Sequence, residues 1–212
     1  MAIKHRKISP MPPFTLHPSF PRPGALLFDM DGTLTEPRLD FPQMKIDMGI
    51  GPGPILESLA ELSDSDRVRA EAVLHRHEEN AAAESALNEG CRELLAFIEQ
   101  AAWPTALITR NSRRSVETVL ARHNLRFPVV VTRGEGRHKP HPDPLHLACR
   151  QLNVTAVNTW MIGDGRYDIE AGLAAGAKTV WISHGRDPEF TAVPWQTVRN
   201  LFELTALLRK CP

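Results

Sequence analysis

Two carboxylates one residue apart, Asp29 and Asp31, follow the short apolar run Gly24–Phe28. Alone, such a pair supports carboxylate chemistry and nothing narrower: one group as nucleophile or ligand, the other as acid/base. Other segments end in a similar way. Thr109, Arg110 and Asn111 follow T-A-L-I, and Asp164 and Asp168 follow T-W-M-I-G. Lys139 lies in the run H-K-P-H-P-D-P, ahead of the helix expected to lead into T-W-M-I-G. Ligands of a parallel sheet bind outside the carboxyl ends of its strands. Four separate segments would thus deliver carboxylates, a hydroxyl and an ammonium to one edge.

The elements that must position these residues are legible as alternating patterns. Short apolar runs without alternation suit strands buried on both faces. They occur at Gly24–Phe28, Thr105–Thr109, Val129–Thr132, Thr159–Gly163 and Lys178–Ser183. Helical stretches lie between them at Arg113–His123, Pro144–Leu152 and Asp168–Ala175. Strand–helix alternation predicts an α/β fold, a Rossmann-like parallel sheet with flanking helices. The stretch 35–89 breaks the rhythm. It has no strand-like run and reads as a helical insert after the first strand. Ser63 and Asp66 have the spacing of a capping box ahead of a long helix extending to Asn88, with Gly90 as its stop. Cys91–Gln100 reads as the helix before the second strand, and a last helix is expected near Val198–Leu208. The organisation is then an extended, proline-rich arm over 1–23, a core of 24–34 and 90–212, and the insert between the two core pieces.

The run D-M-D-G-T-L-T at Asp29–Thr35 resembles the D-x-D-G-T signature of the haloacid dehalogenase-like phosphatase superfamily. Thr109 matches the second motif of that superfamily, Lys139 the third, and G-D-G-R-Y-D at Gly163–Asp168 the fourth. The resemblance implies a small helical cap for residues 35–89 and a Mg2+ ion held by Asp29, Asp164 and the backbone carbonyl of Asp31. It implies Asp29 as the nucleophile that becomes an aspartyl-phosphate, Asp31 as acid/base, and Thr109 and Lys139 as groups that hold the transferring phosphate. Asn111 is a further phosphate contact, and Asp168 would hold Lys139 or a metal-bound water. Arg110 stands where the family often has a small residue. It either grips a substrate carboxylate or second phosphate, faces solvent, or pairs with a cap acid. The wording of the motifs is similar to phosphoglycolate phosphatase-like members, which implies hydrolysis of a small phosphorylated metabolite. A phosphomutase and a non-enzymatic regulatory protein are the alternatives. An acid at Asp31 argues against a dehalogenase. Lys45, the only lysine between Leu34 and Gly90, is the one residue that could serve a phosphonate hydrolase. Arg38, Lys45 and Arg110 are the candidates for substrate selection.

Composition excludes several other classes. Among 212 residues, 25 Lys and Arg balance 25 Asp and Glu, so no global field attracts nucleic acid or an anionic membrane. No apolar run approaches the roughly 18 residues of a membrane span. The three cysteines lack paired spacing and suit a reducing compartment, so a cytoplasmic location is expected, as monomer or homodimer. His75 and His77 do not share a helix face, and His138, His141 and His146 lack a cysteine framework for zinc. The four tryptophans are expected mostly in the core.

Overall fold

The computed structural model describes residues 20–211, so most of the expected arm over 1–23 lies outside the described residues. Six strands form one parallel sheet in the order β3-β2-β1-β4-β5-β6. They are β1 (Ala25–Phe28), β2 (Thr105–Ile108), β3 (Val129–Val131), β4 (Thr159–Gly163), β5 (Lys178–Ile182) and β6 (Gln196–Val198). Every residue of β1 and β4 is buried, as continuous apolar runs between two helical layers must be. Successive side chains serve opposite faces. Leu26, Phe28, Trp160 and Ile162 join Leu94, Val116 and Leu204 from the helices α4 (Cys91–Gln100), α5 (Arg113–His123) and α8 (Leu201–Leu208). Ala25, Leu27 and Met161 join Leu145 and Ala171 from α6 (Asp143–Leu152) and α7 (Arg166–Ala174) on the other face. Burying one such Leu or Phe contributes about 1.5–3 kcal/mol, which is why the central strands resist displacement.

The stretch after β1 holds three helices: α1 (Phe41–Met48), α2 (Ile55–Ala60) and α3 (Asp64–Ala83). They close on a small core of their own around Met44, Met48, Ile55, Leu59, Ala70 and Leu74. Ser63 caps α3, accepting from the Asp66 amide at 3.3 Å. The Asp66 carboxylate takes the Ser63 hydroxyl at 2.6 Å, a variation on the capping box.

Three boundaries differ from the sequence reading. The long helix stops at Ala83 and does not reach Asn88. Its backbone bonds are taken over by the outgoing linker: Thr35 bridges Leu87 antiparallel, and Glu36 N–H and Asn88 N–H donate to Ala86 O and Leu34 O, each at 2.9 Å. The insert therefore leaves and rejoins the core at one point. The C-terminal part contains a sixth strand, Gln196–Val198, in parallel register with β5, and the last helix begins only at Leu201. Three residues are too short to carry a period, so pairing alone makes them a strand. Finally, α7 begins at Arg166, which puts Asp168 in its first turn. No helix among the described residues is long and apolar enough to cross a membrane. Trp103, Trp160 and Trp181 are buried, while Trp195 is half-buried at the edge of the core, its ring 4.8 Å from that of Trp160.

Candidate active site

The chain moves outward from β1 through β2 to β3 and returns to place β4 on the other side of β1. The crevice beyond the carboxyl ends of β1 and β4 is thus where the strand order reverses, and Asp29 and Asp164 stand at those ends. The loop after β1 folds tightly because the Met30 carbonyl collects the amides of Thr33, Leu34 and Thr35 at 2.9–3.2 Å. Gly32 sits at φ +78°, and a Cβ there would collide with the Asp164 carboxylate. Gly163 is equally constrained, since a Cβ would strike Asp168. These glycines let two backbone segments and three carboxylates share one small volume.

Lys139 is the centre of that volume and is only 2% exposed. Its ammonium donates to Asp29 Oδ1 and Asp168 Oδ1, each at 2.6 Å, and to the Ile108 carbonyl at 2.7 Å. All three of its protons have acceptors, as a buried ammonium requires. Asp168 is fixed in turn by the Gly165 amide, which donates to Oδ2 at 3.0 Å. Burial alone would depress the Lys139 ammonium, but Asp168 and Asp29 outweigh it and raise the pKa. Burial pushes Asp29 well above the usual carboxylate range; Lys139 opposes this, and Asp168 and Asp164 add to it. Asp164 is also raised by burial and by Asp168. Three carboxylates set against the Lys139 ammonium and the Arg186 guanidinium still leave surplus negative charge. Oxygens of Asp29, Asp164 and Asp168 lie within 4.8 Å of one another, which suits a hard divalent cation in donor type and in charge.

Asp31 stands beside this cluster. Its Oδ2 accepts from Asn111 Nδ2 at 2.6 Å and its Oδ1 from Thr35 Oγ1 at 3.3 Å. Burial raises its pKa to about 6, with those two hydrogen bonds opposing the shift. Thr109 is buried at the end of β2, where its hydroxyl oxygen accepts from the Asn111 amide at 3.1 Å. Asn111 therefore arrives next to Asp31, with its side-chain amide spent on that carboxylate.

Arg110 takes the last of the options open to it in the sequence, pairing with an acid of the insert. Its guanidinium meets Glu57 of α2 at 2.8 Å, donates to the Lys139 carbonyl and stacks on Tyr167 at 4.2 Å. The guanidinium also holds the Glu57 carboxyl below its ordinary range, against the upward push of burial. His138 also reaches Glu57, at 3.3 Å, His77 pairs with Asp47 at 2.7 Å, and His141 pairs with Asp143 at 3.1 Å.

Several residues that no motif announces complete the site. Asn88 Nδ2 lies 2.8 Å from Thr33 O, 3.0 Å from Thr35 O and 3.2 Å from Gly32 O, pinning the loop that carries Asp31. His184 Nε2 is 2.6 Å from the same Gly32 carbonyl. Arg186 donates to Asp164 Oδ2 at 3.0 Å. Glu78 of α3 is buried against Arg133 and accepts the Ser112 amide at 3.3 Å. None has a sequence signal, because each acts across a fold contact far along the chain. The site opens into a cavity of about 660 Å³ between the strand ends and the insert, reaching Arg38, Met44, Lys45 and Leu56.

A doubly wound parallel sheet of this order places its acids in the crevice at the switch point, where such sheets bind their ligands. The profile of the haloacid dehalogenase-like hydrolases matches residues 42–182, and the chain belongs to that family. It is 32% identical to an N-acetylmuramic acid 6-phosphate phosphatase of Pseudomonas aeruginosa, over 81% of this chain and 87% of that one. It is 29% identical to a phosphoglycolate phosphatase of Colwellia psychrerythraea, over 76% and 84%. A hydrolase from Pseudomonas syringae shares the fold with a TM-score of 0.77 and 19% identity, over 88% of this chain and 98% of that one.

Proposed function

We propose that the protein is a Mg2+-dependent phosphatase acting on a small phosphorylated metabolite through an aspartyl-phosphate on Asp29. The observation that carries this reading is the buried Lys139 ammonium held between Asp29 and Asp168, with Asp164 completing an oxygen-rich cluster. The phosphatase names of relatives that align over three quarters or more of the chain support it.

Asp29, Asp164 and the Asp31 carbonyl are the groups that would hold the ion, which when bound neutralises phosphate charge and polarises phosphorus. Lys139 orients Asp29 and cancels negative charge, so an anionic ester can approach a carboxylate. An Asp29 oxygen then attacks phosphorus as the bond to the leaving oxygen breaks, and protonated Asp31 supplies that oxygen with a proton. Asp31, now a carboxylate, takes a proton from the water that attacks the aspartyl-phosphate, releasing phosphate and restoring both acids. A pKa of about 6 suits a group that must both donate and accept near neutrality. Asn111 holds Asp31 in place, and the Thr109 hydroxyl offers a donor to a phosphate oxygen. The insert serves as a cap that excludes water and selects the substrate.

The test is p-nitrophenyl phosphate hydrolysis with and without Mg2+. Asp29→Asn should lower turnover by at least about 1,000-fold, since removing a nucleophile removes the whole covalent route. Undiminished turnover by that variant, or by the wild type in chelator, would exclude the mechanism.

A further inference from the structure

Six cationic side chains line the cavity, and five of them are already engaged. Lys139 is held by Asp29 and Asp168, Arg110 by Glu57 and Arg186 by Asp164. Arg38 pairs with Glu36 at 3.1 Å and Arg166 with Glu170 at 3.9 Å. The sixth, Lys45 of α1, has no carboxylate within 4.0 Å among the described residues. The nearest acid in its own helix, Asp47, is occupied by His77 at 2.7 Å and Gln43 at 2.8 Å. Glu78, the one acid of the insert on the cavity wall, is committed to Arg133. Lys45 is thus a half-buried cation facing a cavity with its charge unmatched.

The cavity is also larger than the reaction centre needs. Its volume of about 660 Å³ is well inside the range, roughly 300–1,000 Å³, of pockets that take drug-sized ligands. The wall on the side of Lys45 is apolar, formed by Leu39, Phe41, Met44, Ile55 and Leu56. A phosphate at Asp29 leaves the Lys45 side of the cavity to be filled by the rest of the substrate.

Resting on the phosphatase reading, we infer that Lys45 determines specificity by binding a second anionic group at the end of the substrate remote from the scissile phosphate. The substrate class is a phosphate monoester with a body of about hexose size, carrying either a carboxylate or a second phosphate. An unmatched ammonium in a cavity gains more from such a group than from a hydroxyl, because the charge partner replaces water that closure expels. The contact is made equally before and during phosphoryl transfer, so it acts on KM more than on kcat.

The experiment measures phosphate release from three probes of one size: glucose 6-phosphate, 6-phosphogluconate and fructose 1,6-bisphosphate. The first has no second anion, the second adds a carboxylate and the third a phosphate, so the arms separate the two sources. The wild type should favour at least one anionic probe over glucose 6-phosphate by about tenfold or more in kcat/KM, mostly through KM. Lys45→Ala should bring that ratio to about one, and Lys45→Arg should keep it. The ratio is read within each variant, so a partly misfolded preparation does not mimic the effect. A wild-type ratio near one, or a ratio that survives in Lys45→Ala, overturns the inference while p-nitrophenyl phosphate hydrolysis still upholds the phosphatase reading. Failure of the wild type on p-nitrophenyl phosphate removes that reading, and this inference with it.

Discussion

The strand-end edge of the sheet and the helical insert facing it are both organised by ion pairs, but of opposite kinds. At the edge, Lys139 is 2% exposed, its partners Asp29 and Asp168 are buried with it, and each donor has a fixed acceptor. On the insert side the Glu57–Arg110 pair is open to solvent on the acid, and Lys45 has no acid partner among the described residues. The exception is Glu78, buried against Arg133 where α3 meets the core. Buried pairs with full hydrogen bonding hold one geometry and are costly to break, whereas exposed pairs contribute about 0–1 kcal/mol and exchange readily. The edge is built to keep reacting groups in place.

That contrast can be broken most severely at Lys139. Lys139→Ala would leave Asp29 and Asp168 buried without their common cation, and breaking such a pair costs about 3–5 kcal/mol. Thermal unfolding should show a large fall in Tm together with loss of turnover on p-nitrophenyl phosphate. A variant with unchanged Tm would mean that the edge is solvated and not a fixed buried cluster.

Asp31→Asn tests the same edge with the opposite sign on stability. The Asp31 pKa is raised to about 6 by burial, so its ionised form is disfavoured in the folded state. Below about pH 4 folded and unfolded forms are both protonated and the penalty is absent. As pH rises through that value toward 6 the unfolded chain ionises first and stability is lost; above 6 the loss is complete. At pH 7.5 in chelator, Asp31→Asn should therefore be more stable than the wild type by about 1–3 kcal/mol, a gain that vanishes near pH 4. Turnover should fall sharply at the same time, which is the trade of stability for function expected at an active site. A stability difference independent of pH would contradict the burial of Asp31.

The smallest effect is expected on the insert. Glu57→Gln removes the partner of Arg110 at a partly open surface, so Tm should change by no more than the few degrees that about 1 kcal/mol produces. The readout that moves should be KM, and its response to salt should strengthen, because an acid is lost and the Arg110 guanidinium is no longer neutralised beside the cavity. A loss of stability as large as that of Lys139→Ala would erase the distinction between the two regions.

The core of this fold is largely legible in the sequence. Five apolar runs without alternation are strands, Thr159–Gly163 at the expected bounds and the other four one residue shorter at one end, because burial on both faces leaves a continuous apolar run. Arg113–His123 was predicted at the bounds it has, with Ser112 and Asn124 as its natural caps. The end of α3 and the strand Gln196–Val198 were not readable, since both depend on a pairing partner more than ten residues away. The same holds within the site. Asp29, Asp31, Thr109, Lys139, Asp164 and Asp168 were named from motifs and all meet at one crevice. Asn88, His184, Glu57 and Arg186 carry no local pattern, and they matter only through what the fold brings to them.

The sequence by itself determined five of the six strands, the place of the insert and the chemical types at the strand ends, because apolar runs and turn residues act over a few positions. The tertiary structure decided which charges are spent. It gave Arg110 to Glu57 and Asn111 to Asp31, and it left Lys45 with no acid partner among the described residues. Charge pairing is settled by distances of a few ångströms between residues tens of positions apart, and only the folded chain sets those distances.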